Sequence, residues 1–231
     1  NENGVNACFV DLSRWKDTEI LTLDEAVLEG MRGLDIRTTL PIVTGFVKCD
    51  IGIMTHFSRG YREITFSKIA VLTGAKEGII HKEYHLCTGD PVLIGPDKVK
   101  VIGQTNFDIA DQMSDLNMEA IHAKASMELA AKNVAIRVKN AFDPEHLGTV
   151  ISSEYVSPEP KVEMICGRED IVAVTVYDSQ MVGQSGYDYG LLAAFADLGI
   201  SYIAKSTNAN SISHYVSEET VQADALVSAI T

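Results

Sequence analysis

The sequence predicts an α/β chain: a mainly parallel sheet layered with helices, followed by a smaller ferredoxin-like unit. Short apolar runs alternate with segments of helical period as far as Ile151, the succession that produces parallel strands joined by crossover helices. The stretch 152–160 carries two prolines and three serines and no helical period, which marks a boundary. Beyond it strand, helix, strand and strand follow in the β-α-β-β order of most of a split βαβ unit.

Element by element, Ala7-Cys8-Phe9-Val10 is a short apolar run ending at Asp11 and reads as a buried strand. Thr22-Leu23-Asp24-Glu25 has the form of a capping box, and Leu23, Ala26, Val27, Met31 and Leu34 recur behind it at helical spacing. Leu40 to Phe46 reads as a strand with Pro41 near its start, where a missing N–H costs least. Ile64 to Leu72 is a helix stopped near Gly74, and Gly78 to His81 enters the next strand. A helix starts at Asp108 with its cap near Thr105, another spans Lys124 to Lys132, and Val134 to Val138 is a strand. In the second unit Ile171 to Tyr177 is a β-branched strand, and Gly183 to Gly190 is a glycine-rich turn. Leu191, Leu192, Phe195 and Leu198 form a helix ended by Gly199. Tyr202 to Lys205 and Ile212 to Val216 are strands, and Ala225 to Ile230 ends a helix or opens a further strand. The domains are therefore expected at 1–151 and 161–231, with 152–160 as linker.

The chain has 231 residues and a net charge of −13, which disfavours a protein that tracks nucleic-acid phosphates with clustered lysine and arginine. Its hydrophobic content of 46% is that of a globular protein rather than a disordered one. Apolar runs such as Leu191–Ala196 fall far short of the roughly 18–20 residues that cross a bilayer, so no membrane association is expected. Cys8, Cys49, Cys87 and Cys166 stand far apart, which fits reduced, mostly buried thiols and a cytoplasmic location better than a disulfide framework.

Two segments carry candidate chemistry. In Ser58-Arg59-Gly60-Tyr61-Arg62-Glu63 a glycine lets the backbone approach a ligand, and an arginine can grip a carboxylate bidentately at the start of a helix. Read alone, a solvated charged turn explains it better. In Thr88-Gly89-Asp90-Pro91 a threonine and an aspartate can hold phosphate and magnesium, or simply make a turn. His81 and His85 invite a metal reading, but on a strand they stand about 13 Å apart, too far to share one ion, so no metal site is expected.

Taken in order, Pro41 to Phe46, Arg59-Gly60, Thr88-Gly89-Asp90-Pro91, Met118 to His122, Val134 to Pro144 and Gly148-Thr149-Val150-Ile151 resemble the second half of an aspartate kinase catalytic domain. The last seventy or so residues resemble the ACT regulatory domain that follows it in that family. Arg59-Gly60-Tyr61, Thr65 to Ala70 and His81 to His85 look closest to the ectoine-linked aspartate kinases. The resemblance implies part of an amino-acid-kinase three-layer αβα sandwich followed by an incomplete ACT domain.

It also implies a reaction, ATP plus L-aspartate giving 4-phospho-L-aspartate, with ATP and Mg²⁺ as cofactors. The attacking carboxylate is already ionised at neutral pH, so positioning and charge neutralisation suffice. By the resemblance Arg59, Gly60, Arg62 and Glu63 belong to the substrate site. His81, Lys82, Thr88 and Asp90 belong to the nucleotide site, where His81 and Lys82 replace Thr-Asp, Cys87 replaces Tyr and Val92 replaces Arg. A lysine that the family often carries before the Leu-His step is here Glu119. The phosphate-cradling K-x-G-G lysine of the family lies outside this chain, so residues 1–231 alone are not expected to turn over ATP. Met181, Gly183, Gln184, Asp188, Ser201, Asn208 and Asn210 are expected to form an effector cleft for an amino acid such as lysine or threonine, between subunits of a homodimer or higher oligomer. A non-catalytic amino-acid-binding regulatory protein is the alternative reading.

Overall fold

A computed structural model describes residues 4–57, 60–115 and 120–230. They form two compact units, 1–166 and 167–231.

In the first unit β1 (Ala7–Val10) pairs in parallel with β2 (Leu40–Val43), and α1 (Leu23–Gly30) makes the crossover between them. The capping box is formed. Thr22 Oγ1 accepts from Glu25 N at 3.3 Å, and Glu25 Oε2 accepts from Thr22 N at 3.0 Å. β2 ends at Val43 because Thr44 turns its hydroxyl to accept the Leu12 N–H. A short helix, α2 (Ile53–Phe57), precedes α3 (Tyr61–Leu72), which begins one turn earlier than the apolar period indicates.

A second sheet holds β3 (Glu77–Lys82), β4 (Gln104–Thr105), β5 (Ala135–Asn140) and β6 (Thr149–Ile151) in the order β3-β5-β6-β4. Its β3–β5 and β4–β6 pairs are parallel and its β5–β6 pair is antiparallel. The Asp-Pro turn expected at 90–91 opens a short helix, α4 (Pro91–Ile94), with Asp90 as its cap. The next helix, α5 (Phe107–Asp115), is capped by Asn106 rather than near Thr105: Asn106 Oδ1 accepts from Ile109 N at 3.0 Å. α6 (Ala123–Ala131) then packs on α3. Leu12, Val27, Ile53, Ile64, Ile121, Leu129, Ile136 and Ile151 are buried in one continuous core between helices and sheets.

This unit runs past the expected linker at 152–160. Asn106 donates to Tyr155 O, Ile165 N donates to Thr88 O at 3.0 Å, and Met164 packs on the core, so the division falls at Cys166–Gly167. Cys49 and Cys87 are buried and Cys8 and Cys166 partly so; burial pushes the thiols of Cys49, Cys87 and Cys166 up.

The second unit is a three-stranded antiparallel sheet of β7 (Ile171–Tyr177), β8 (Tyr202–Thr207) and β9 (Ser211–Ser217), in the order β7-β9-β8, with α7 (Tyr187–Asp197) and α8 (Ala223–Ile230). This extends the expected strand-helix-strand-strand order by one helix, so Ala225–Ile230 is helical. The turn read at 183–190 ends earlier, at Gly186. That residue adopts a left-handed φ of 81° and starts α7, leaving Gly190 inside the helix. Among the described residues no helix is long and apolar enough to cross a membrane.

Candidate active site

The site assembles where α3, β3 and α6 meet. Gly60 stands just before α3, and a Cβ there would collide with the imidazole of His122. The absence of a side chain therefore lets the two segments close. His122 caps α6 through Nδ1, which accepts from Lys124 N at 3.3 Å, and its own backbone N–H donates to Glu63 Oε2 at 2.5 Å. Glu63 lies in the first turn of α3, where the helix dipole favours a negative charge. Its Oε1 accepts from Lys82 Nζ at 3.0 Å. One carboxylate thus joins two helix starts to the end of a strand. Arg62 is exposed, with its stem laid over Gly45 and its guanidinium 6.0 Å from the Tyr61 ring. Arg59 lies outside the described residues.

Lys82 is the last residue of β3, paired in register with Asn140 of β5, and the Ala141 N–H donates to Lys82 O at 2.8 Å. Ligands of parallel α/β sheets bind beyond the carboxyl ends of strands. A cleft of about 380 Å³ opens there, with Lys82, Glu83, Tyr84, His85 and Asp90 as its polar wall and Leu86, Pro91, Val92, Ala120 and Val138 as its apolar one. Asp90 caps α4, its Oδ1 accepting from Val92 N at 2.7 Å and Leu93 N at 3.4 Å.

Lys82 and Asp90 therefore share a cleft, and Glu63 links it to the Gly60 end. The other two residues grouped with them, His81 and Thr88, are not brought to it. Strand alternation turns His81 to the face opposite Lys82. Thr88 lines a separate groove of about 540 Å³ with Lys100, Tyr155 and Lys161, and its hydroxyl accepts from Lys100 N at 3.1 Å.

Sequence spacing gave no sign of the contacts that hold the cleft. His85 does not pair with His81. Its Nε2 lies 3.1 Å from Asp143 Oδ2, and its ring centroid 4.3 Å from that of His146. Among the described residues no group of three or more His, Cys, Asp or Glu is arranged to hold a metal ion. Glu83 and Asp90 are the carboxylates among the described residues lining the cleft, the donor chemistry a hydrated magnesium ion would take.

In the second unit Met181 is buried, and Gly183 and Gln184 lie on an exposed turn, where Gln184 N donates to Met181 O. Asp178 N donates to Asn210 O, which ties this turn to the β8–β9 hairpin. Asn208 Oδ1 is engaged within that hairpin by the N–H groups of Asn210 and Ser211, both at 3.0 Å. Asp188 does not cap α7, which starts without a side-chain cap. It pairs instead with Lys205 at 2.5 Å and faces His214 Nε2 at 3.8 Å. Ser201 lies apart, in a groove of about 430 Å³ with Leu192, Phe195 and Tyr202.

No family model matches the chain. Over 216 residues, 94% of the chain, it is 46% identical to the aspartate kinase Ask_Ect of Stutzerimonas stutzeri, and it spans 45% of that relative's own length. It superposes on the crystal structure of Clostridium acetobutylicum aspartate kinase with a TM-score of 0.73 at 17% identity, covering 96% of this chain and 51% of that one. The E. coli aspartokinase III structure in complex with aspartate and ADP gives 0.64 at 16% identity, over 98% and 54% of the two chains.

Proposed function

This chain belongs to the aspartate kinase family, and from that premise we propose that the protein containing it transfers a phosphoryl group from ATP to the side-chain carboxylate of L-aspartate. The observation that carries this reading is the cleft at the end of β3. Lys82 and Asp90 line it, and Glu63 couples it to the starts of α3 and α6. The nucleotide occupies the cleft with Asp90 toward its magnesium ion, and aspartate lies at the Gly60–Glu63 end. Both Glu63 oxygens already accept from protein donors, so an incoming ammonium shares them rather than finding them free. Arg59 holds a substrate carboxylate. Assignment to the ectoine branch rests on the 46% identity to Ask_Ect. The unit 167–231 senses an amino acid at the uncapped start of α7 and assembles with a second copy.

Arg59→Ala in the full-length enzyme tests the substrate end. The KM for aspartate at saturating ATP is expected to rise roughly 10- to 100-fold through loss of a bidentate contact, with the KM for ATP nearly unchanged. Unaltered aspartate kinetics would remove Arg59 from the site.

A further inference from the structure

We propose that Lys82 is a further cation that offsets the charge of the transferring phosphoryl group, beside the K-x-G-G lysine expected outside this chain, and that Glu63 positions it; this rests on the kinase reading above. Among the described residues that line the cleft Lys82 is the one lysine or arginine, in a chain of net charge −13. Its ammonium has three donors, of which Glu63 Oε1 takes one at 3.0 Å. The side chain is 30% exposed, so the remaining donors are open to a second anion.

Glu63 is fixed in turn by the His122 N–H, so two helix starts and a strand end hold the lysine in place before any ligand arrives. Preorganised charge of this kind costs no reorganisation during the reaction. In the transfer an aspartate side-chain oxygen bonds to the γ-phosphorus. The bond from that phosphorus to the β–γ bridging oxygen breaks, and its electron pair leaves on ADP. No proton moves, so what the protein supplies is positive charge beside the equatorial oxygens, and Lys82 supplies it from the substrate-facing end of the cleft. Cut loose from Glu63, the four-carbon stem is free to turn toward water.

The test uses the full-length enzyme, with calorimetric titration by ATP and by ADP beside steady-state kinetics. Lys82→Met is expected to lower kcat by roughly 100-fold and to bring the ratio of ATP to ADP affinity toward one, since the lost contact is to the γ-phosphoryl. Lys82→Arg is expected to recover part of kcat, and Glu63→Gln to lower kcat while ADP affinity holds. A Lys82→Met enzyme with wild-type kcat and affinity ratio overturns the proposal. So does one that loses ATP and ADP affinity equally along with thermal stability, which is the outcome of a purely structural ion pair. A wild-type enzyme that neither binds ATP nor phosphorylates aspartate overturns the kinase reading itself and this assignment with it.

Discussion

His214 lies in the middle of β9 with 1% of its surface exposed, its ring 4.6 Å from that of Phe195 and 5.4 Å from that of Tyr202. Burial pushes its pKa below the ordinary 6.5; Asp188 on α7 opposes the shift, and Lys205 on β8 adds to it. The folded protein therefore takes up this proton less readily than the unfolded chain. The stability contributed by neutral His214 is intact above about pH 6.5 and is lost as the pH falls through the lower folded value. The midpoint of thermal unfolding is expected to drop on acidification from about pH 7 to 5, and His214→Gln to drop with a shallower slope. Parallel slopes would assign the acid sensitivity to other groups. Nothing in the spacing of Asp188, Lys205 and His214 announces their meeting, because α7, β8 and β9 bring them together only in the folded unit.

The elements divide according to how local their causes are. The capping box at Thr22 and Glu25 is readable because both hydrogen bonds run within one turn, and it forms as expected. Its loss in Thr22→Ala is expected to cost about 1 kcal/mol, measured by denaturant unfolding of the full-length protein; no loss would show that α1 is held by its buried face alone. The start of α7 is less legible, since a glycine-rich run does not say which glycine takes the left-handed conformation; Gly186 takes it. Asn106 rather than Thr105 caps α5 because its side chain reaches the third N–H of the helix. At the site Asp90 matches its motif, while Glu63 and Lys82 stand at motif positions where this chain carries a different residue, and no local pattern predicts that those two touch, or that the His122 N–H completes the carboxylate's shell. Thr88 sits in the same motif as Asp90 and still faces another groove, because the intervening turn carries the chain across to Lys100.

Across the whole chain, the cleft supplies a lysine, two carboxylates and an apolar wall, but no glycine-rich phosphate cradle of the family's K-x-G-G type occurs in the sequence. Residues 1–231 in isolation are accordingly expected to release no ADP in a coupled assay with aspartate, and turnover at a rate typical of kinases would place the phosphate-binding groups within them. The parallel pairing of β3 with β5 has a further consequence, for the order in which the chain acquires its parts. The two strands, represented by the paired residues Lys82 and Asn140, lie 58 residues apart in sequence, and closing so long a segment is entropically slow. Locally wired helices such as α1 can form ahead of it. Such helices can therefore precede the cleft, and on the proposed reading affinity for a nucleotide is a late property of folding rather than a guide to it.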